Sequence, residues 1–191
     1  MSAPLWQPGE SQQHCRLATF WEQARTHSGL PLADYHALHD WSVEQPEDFW
    51  SLVWDFCGLV GEAGDTVLTR RDRFQDTRWF PRARLNYAEN LLQRNDTHPA
   101  LISVLEDGTR AEVSYADLRV AAGKVAAQLQ AAGVKPGDRV AGYMPNRIET
   151  VIAALGAAWI GAVWSSCSPD FGVSGVLDRF GQIEPTVLVA C

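Results

Sequence analysis

From Arg139 to Cys191 the chain reads RVAGYMPNRIETVIAALGAAWIGAVWSSCSPDFGVSGVLDRFGQIEPTVLVAC, and this stretch decides the fold. Apolar runs typical of strands alternate in it with helical patterns. The predicted elements are strands at residues 139–143, 162–164 and 186–191, a helix capped by Asn146 that runs to about Ile160, and a helix at residues 172–182. Parallel strands joined by single helices form right-handed βαβ units, so we predict a doubly wound, mostly parallel α/β sheet with helices on both faces.

The last predicted strand indicates that this sheet is incomplete. Residues 185–191, Pro-Thr-Val-Leu-Val-Ala-Cys, form an apolar run of the kind that is buried on both faces of a parallel sheet. Such a strand needs neighbours on both edges and helices on both faces, and nothing after Cys191 supplies them. We therefore expect this chain to be the front part of a larger α/β enzyme and to be inactive on its own.

The first half of the chain predicts a helical preface that leads into a β-hairpin. Helical patterns occupy residues 14–26, 34–41, 46–57 and 86–94. Two short strands, residues 100–105 and 111–114, flank a Glu-Asp-Gly-Thr turn, and Ser114 is placed to cap a long helix at residues 115–132. We expect two domains, a helical N-terminal region at residues 1–96 and the first part of the α/β domain at residues 97–191.

Composition excludes several classes of function. The 191 residues are 46% hydrophobic and 20% charged, as in folded globular proteins. A net charge of -7 argues against nucleic acid as a partner, because phosphate neutralisation requires clustered Lys and Arg. The N-terminus has no signal-peptide pattern, no apolar stretch is long enough to span a bilayer, and the 4 cysteines form no C-x-x-C pair. We expect a soluble, cytoplasmic protein with reduced thiols and no membrane partner.

Several candidate sites have a simpler structural interpretation. Neither G-x-x-x-x-G-K-[ST] nor G-x-G-x-x-G occurs, so we predict no phosphate-binding loop of these kinds. His36 and His39 share a helix face, but catalytic zinc needs a third protein ligand, so we predict no metal site. Residues 165–168, Ser-Ser-Cys-Ser, lack the G-x-S-x-G elbow and favour a structural loop, with no catalytic residue. Arginines between residues 70 and 84 are interleaved with aspartates, which favours a solvated, self-paired segment.

The segment from Trp164 to Gly172, WSSCSPDFG, carries the strongest functional signal. It leaves the carboxyl end of a predicted parallel strand and enters a helix, and ligands of open α/β sheets bind at such ends. Small residues permit close approach, and amides at a helix start can bind an anion. The alternative is an ordinary strand-to-helix turn in which the serines and the aspartate cap the next helix. The residues alone support the two interpretations equally.

Segments in four places, taken in order, carry a family resemblance. They are WFPRARLNYAENLL at Trp79–Leu92, VSYADL at Val113–Leu118, KPGDRVAGYMPN at Lys135–Asn146 and AAWIGAVW at Ala157–Trp164. Together they resemble the short-chain acyl-CoA synthetases of the AMP-forming adenylating superfamily. The run that ends Ser-Pro-Asp-Phe-Gly172, with the tryptophan-rich preface around Asp40–Val43, is most similar to the acetoacetate-activating members.

The resemblance implies a ligase with two half-reactions. Acetoacetate and ATP, the latter with Mg²⁺, would give an acyl-adenylate and pyrophosphate, and coenzyme A would then accept the acyl group. In this family the phosphate loop, the adenine- and ribose-binding motifs and the catalytic lysine come later in the sequence than residue 191, so no catalytic residue is transferred to this chain. The loop after Trp164 corresponds to one that borders coenzyme A, which makes Ser168, Pro169 and Asp170 the candidate CoA-binding residues. The implied partners are these small molecules and the remainder of the chain.

Two alternatives remain open. The first is a ligase for another short oxo- or branched-chain acid. The second is a non-catalytic module, either a truncated paralogue or the first half of a split gene, that binds a partner through its unpaired strand edge.

Overall fold

The computed structural model describes Gly9, residues 14–70 and residues 72–190. Predictions that concern Arg71 and Cys191 lie outside the described residues. The chain divides into two compact units, residues 1–84 and 85–191, which are described separately below. The predicted domain boundary after residue 96 stays a prediction.

The first unit is built on helices α1 (Arg16–Ser28), α2 (Tyr35–Glu44) and α3 (Pro46–Cys57). Asp34 caps α2 as predicted, because its carboxylate accepts a hydrogen bond of 2.9 Å from the Ala37 N–H. Pro46 occupies the first turn of α3, where its missing N–H costs no helical hydrogen bond. Gly58, with a φ of 63°, ends α3 in the left-handed conformation that glycine adopts without strain.

Aromatic side chains hold these helices together. Phe20 and Trp41 are buried, and each lies edge-to-face on Phe49, with ring centroids 5.7 and 5.6 Å apart. The remainder of the unit consists of short strands β1 (Gly61–Glu62), β2 (Leu68–Thr69) and β3 (Arg78–Trp79) and a 3₁₀ turn at Phe74–Asp76, with β2 antiparallel to β3. The division between the two units falls within the two-residue strand β4 (Arg84–Leu85).

The second unit begins with α4 (Tyr87–Leu91) and the predicted hairpin. Strands β5 (Pro99–Val104) and β6 (Arg110–Ser114) pair antiparallel, and α5 (Tyr115–Ala131) follows. Ser114 caps α5 as predicted, because its hydroxyl accepts from the Asp117 N–H at 3.1 Å and donates to the Asp117 carboxylate at 2.6 Å. The predicted α4 is too long by several residues, since the observed helix ends at Leu91.

The end of the chain forms the predicted strand–helix alternation. Its elements are β7 (Arg139–Tyr143), α6 (Ile148–Trp159), β8 (Val163–Cys167), α7 (Val173–Ile183) and β9 (Val187–Ala190). Within the described residues, the strands form one parallel sheet in the order β8-β7-β9. The predicted α/β class with a small, incomplete sheet is confirmed.

Two details of this region differ from the prediction. Asn146 is not the cap of α6, since that position belongs to Arg147, which has extended backbone angles. The Pro145 carbonyl accepts from the Arg147 N–H at 2.9 Å and from the Thr150 hydroxyl at 2.7 Å, which delays the helix by one residue. Strand β8 runs to Cys167 instead of Trp164, because residues 165–167 pair in register with residues 141–143 of β7.

Helices cover both faces of the sheet. On one face Val140 packs with Ala157 of α6 and Leu129 of α5, and on the other Ala141 and Cys167 pack with Phe180 of α7. Helices α5 and α6 approach closely because Gly156 has no side chain, and a Cβ there would lie 2.6 Å from a methyl group of Val125. Among the described residues, no helix has the length and apolarity that a membrane span requires.

Candidate functional site

The loop at residues 168–172 connects the carboxyl end of β8 to the start of α7. Cys167, the last residue of β8, is buried, Ser168 is half-buried, and the four residues from Pro169 to Gly172 are exposed. The Phe171 N–H donates to the Ser168 carbonyl at 3.1 Å, which closes a turn. The structure therefore brings the three predicted site residues together on one exposed turn at a carboxyl strand end.

The polar side chains of this turn bind each other. The Ser168 hydroxyl donates to the Asp170 carboxylate at 2.7 Å, and the Asp170 N–H donates to the Ser168 hydroxyl at 3.3 Å. The cap position of α7 belongs to Gly172, and no described side chain caps that helix. The capping role that one interpretation of this segment gave to the serines and the aspartate is therefore wrong, and the role of the turn in ligand binding stays a prediction.

Tyr143 fixes the turn from the neighbouring strand. It pairs in register with Cys167, one residue before the turn, and its ring packs in the cluster of Ala141 and Phe180. Its hydroxyl lies 2.9 Å from the Pro169 carbonyl and 3.3 Å from the Phe171 carbonyl, oxygen to oxygen. Sequence reasoning missed this residue, because the contact spans 26 and 28 positions and depends on which strands are neighbours.

A second contact holds the far side of the turn. The Arg179 guanidinium of α7 lies 4.0 Å from the centroid of the Phe171 ring, and one of its N–H groups donates to the Gly175 carbonyl at 3.1 Å. A guanidinium on an aromatic face is attracted by the ring quadrupole. The turn is therefore held by β7 on one side and by α7 on the other.

A second polar surface lies beyond the carboxyl end of β7. Asn146 and Arg147 are exposed there, and the Arg147 guanidinium lies 3.5 Å from the Glu149 carboxylate. With Ile102 and Val104 of the hairpin they line a depression of about 330 Å³. Since parallel strands end at the same edge, this depression and the loop lie at the edge of the sheet where ligands of doubly wound folds bind.

The other candidates are two histidines, a cysteine and an arginine-rich segment. His36 and His39 are exposed, and across the described residues no group of three or more His, Cys, Asp or Glu side chains is arranged to hold a metal ion. Cys167 is 6% exposed and packs in an apolar cluster. In the arginine-rich segment, Arg82 pairs with Asp65 at 2.9 Å and Arg73 pairs with Asp76 at 2.8 Å, and all four side chains are exposed to solvent.

Comparison with known proteins assigns the family. The model of the AMP-binding enzymes matches residues 88–191, which is more than half of the chain. The chain belongs to the AMP-binding enzyme family. Residues 35–91 match a second model, described as the N-terminus of acetyl-coenzyme A synthetase.

Within the AMP-binding enzymes, the chain is similar to acetoacetyl-CoA synthetases. It is 45% identical over 189 residues to the acetoacetyl-coenzyme A synthetase of Rhizobium meliloti (strain 1021), an alignment that covers 98% of this chain and 29% of that protein. It is 45% identical over 190 residues to the acetoacetyl-CoA synthetase of Xenopus tropicalis, which covers 97% of this chain and 28% of that protein.

A solved structure gives the same result. The acetoacetyl-CoA synthetase from Streptomyces lividans superposes with a TM-score of 0.87 at 43% sequence identity, over 99% of this chain and 30% of that one. The resemblance to the acetoacetate-activating members, drawn from sequence segments, is confirmed. The chain spans less than a third of the length of these three proteins.

Proposed function

We propose that this chain is the N-terminal part of an acetoacetate–CoA ligase, which converts ATP, acetoacetate and coenzyme A to acetoacetyl-CoA, AMP and diphosphate. The observation that carries the proposal is the similarity, in sequence and in structure, of nearly the whole chain to acetoacetyl-CoA synthetases. In the first half-reaction an acetoacetate oxygen attacks the α-phosphorus of ATP and diphosphate leaves. In the second, the thiol of coenzyme A attacks the acyl carbon and AMP leaves.

The part of this reaction that the chain supplies is limited by its residues. Its sequence has no phosphate-binding loop motif, and its described residues contain no cluster suited to a metal ion. We therefore assign the binding of ATP, and of the Mg²⁺ that accompanies it, to the longer part of the related enzymes that this chain does not span. The proposed setting is cytoplasmic, and the proposed partners are the small-molecule substrates and the remainder of the enzyme.

A chimera tests the proposed function. In the chimera, this chain replaces the aligned 189-residue segment of the Rhizobium meliloti synthetase. We expect the chimera to form acetoacetyl-CoA from acetoacetate, ATP and coenzyme A, and the 191-residue chain alone to give no acetoacetate-dependent exchange of pyrophosphate into ATP. A folded chimera without thioester formation, or exchange by the chain alone above a no-enzyme control, would contradict the proposal.

We further propose that Ser168, Pro169 and Asp170 border coenzyme A. The support is threefold: the turn lies at a carboxyl strand end, Pro169 and Asp170 are exposed, and no described side chain caps the helix start behind the turn. Tyr143 and Arg179 hold the turn in place, so a ligand that binds there meets a preorganised surface.

Hydrogen exchange in the chimera tests this site. Coenzyme A should slow the exchange of the amides of Ser168 and of residues 170–172, because bound ligand opposes local opening, while the amides of the hairpin turn at residues 105–110 serve as the internal control. ATP with acetoacetate but without coenzyme A should leave the loop unprotected. Equal protection by both ligand sets, or no protection by coenzyme A at saturating concentration, would contradict the assignment.

A further inference from the structure

We infer that Tyr143 is a positioning residue for the thioester-forming half-reaction, because its hydroxyl fixes the backbone of the loop at residues 168–172. This inference rests on the proposed role of that loop in binding coenzyme A. Tyr143 itself need not touch the ligand, since it acts through the carbonyl groups that it binds.

The position of Tyr143 follows from the register of the sheet. It is the last residue of β7 and pairs with Cys167, the last residue of β8, so its side chain starts beside the residue that precedes the loop. The ring packs with Ala141, Cys167 and Phe180 on the face covered by α7. A packed ring has few accessible rotamers, so the hydroxyl at its tip is held at a fixed point above the strand end.

The hydroxyl has one proton and two acceptors within reach. The Pro169 carbonyl, at 2.9 Å, lies at ordinary hydrogen-bond distance, and the Phe171 carbonyl, at 3.3 Å, is the alternative acceptor. Two carbonyls of the turn therefore point to the same hydroxyl. Since these carbonyls belong to one closed turn, the Tyr143 side chain restrains two peptide groups of the segment at once, in addition to the restraints from Arg179 and from the pair of Ser168 and Asp170.

This arrangement sets which face of the loop a ligand meets. In a planar trans peptide, the C=O and the following N–H point in opposite directions. Because the carbonyls of Pro169 and Phe171 face Tyr143, the N–H groups of Asp170 and Gly172 are directed away from it, and the Asp170 N–H donates to the Ser168 hydroxyl. Gly172 is the cap position of α7, so its N–H adds to the donors at the start of that helix. Without the tyrosine hydroxyl, these peptide groups keep only the bonds within the turn, from the Asp170 N–H to the Ser168 hydroxyl and from the Phe171 N–H to the Ser168 carbonyl.

Replacement of Tyr143 by phenylalanine in the chimera tests the inference. The variant retains the packed ring and removes only the hydroxyl. Loss of one hydrogen bond should speed the exchange of the loop amides about fivefold and raise the apparent KM for coenzyme A by a similar factor. Acetoacetate-dependent pyrophosphate exchange, which needs no coenzyme A, should stay within about twofold of the parent. Tyr87→Phe is the matched control, because Tyr87 is 64% exposed and its hydroxyl binds no described residue.

The outcomes separate this inference from the proposed function. Faster loop exchange together with a higher KM for coenzyme A and unchanged pyrophosphate exchange supports the positioning role. Unchanged loop exchange overturns it, whatever the kinetics. Faster loop exchange with an unchanged KM for coenzyme A also overturns it, and shows that Tyr143 holds a loop that does not serve coenzyme A. In that case the chimera still forms acetoacetyl-CoA, so the ligase proposal itself stands.

Discussion

Replacement of Asn86 should destabilise the second unit more than loss of a helix cap explains. The Asn86 side chain binds the ends of two helices at once. Its Oδ1 accepts from the Glu89 N–H at 3.0 Å and caps α4, and its Nδ2 donates to the carbonyls of Ala158 and Trp159, each at 3.0 Å, at the end of α6. Both α6 carbonyls lie in the last turn, and the Ala158 carbonyl also accepts from the Gly161 N–H at 3.0 Å.

The expected magnitude follows from these three bonds. Loss of an Asn cap costs about 1 kcal/mol, and each hydrogen bond to a carbonyl of α6 contributes about 0.5–1 kcal/mol after discount for partial exposure. Asn86→Ala should therefore cost about 2–3 kcal/mol. Asn86→Ser keeps an acceptor that can cap α4 but cannot reach the α6 carbonyls, so it should cost about 1–2 kcal/mol.

Equilibrium urea unfolding of the chain, followed by far-ultraviolet circular dichroism, measures both variants. Asp34→Ala is the matched control, because Asp34 caps only its own helix and its loss should cost about 1 kcal/mol. If Asn86→Ala costs no more than Asp34→Ala, or if Asn86→Ser is as stable as the parent, the bond between α4 and α6 contributes nothing and the reasoning is wrong.

Other substitutions test the packing and the electrostatics. Gly156→Ala should destabilise by about 1–2 kcal/mol in the same assay, although alanine favours helices, because its Cβ would lie 2.6 Å from a methyl group of Val125; a stabilised variant would show that α5 and α6 can separate freely. Trp41→Phe should cost less than about 1 kcal/mol, because lost packing is offset by removal of a buried indole N–H that has no acceptor among the described residues; a larger loss would contradict this offset. The pKa of Asp96 lies below its ordinary value of 3.8, chiefly because the His98 N–H donates to its carboxylate. The ionised Asp96 carboxylate therefore contributes fully to the free energy of unfolding above its unfolded pKa, and this contribution is lost as the pH falls through its folded pKa. Asp96→Asn should make the free energy of unfolding depend less on pH below about pH 4. An unchanged dependence on pH would contradict the assignment.

The sequence predicted those helix starts and strands that depend on residues close by in the chain. Helix starts were predicted at Asp34 and Ser114, whose side chains bind an N–H three residues on, and at Pro46, whose ring suits the first turn. Each of the three residues lies at its predicted position. The predicted strand at residues 139–143 coincides with β7, because its apolar residues are flanked by a Lys-Pro-Gly-Asp turn and a Met-Pro break. The α/β class follows from this alternation, with no need of tertiary information.

Features that depend on distant neighbours were not predictable in this way. Strand β8 continues through Ser165 and Ser166, residue types that do not favour strands, because β7 supplies hydrogen-bond partners along their length. The α6 carbonyls that Asn86 binds lie 72 and 73 positions away. A sequence pattern has no means to show that α4 and the end of α6 meet.

For the candidate site, the location could be predicted from the sequence but the hydrogen bonds within it could not. Its location was predictable, since a loop of small residues after a parallel strand lies where such sheets bind ligands. Its internal bonding was not: the pair of Ser168 and Asp170 competes with the capping role that their residue types suggest. The supports from Tyr143 and Arg179 depend on strand order and on the path of α7, which become visible only in the folded chain.

Whether this loop borders coenzyme A in an acetoacetate–CoA ligase is tested most directly by Ser168→Trp in the chimera, with Thr109→Trp at the exposed hairpin turn as the control. The measurement compares the apparent KM for coenzyme A with the rate of acetoacetate-dependent pyrophosphate exchange. Bulk at Ser168 should raise that KM by about tenfold or more and leave the exchange rate within about twofold of the parent, because only the second half-reaction uses coenzyme A. A fall in exchange as large as the fall in overall turnover would contradict the assignment, and would place the loop in the acyl site or in the supporting structure.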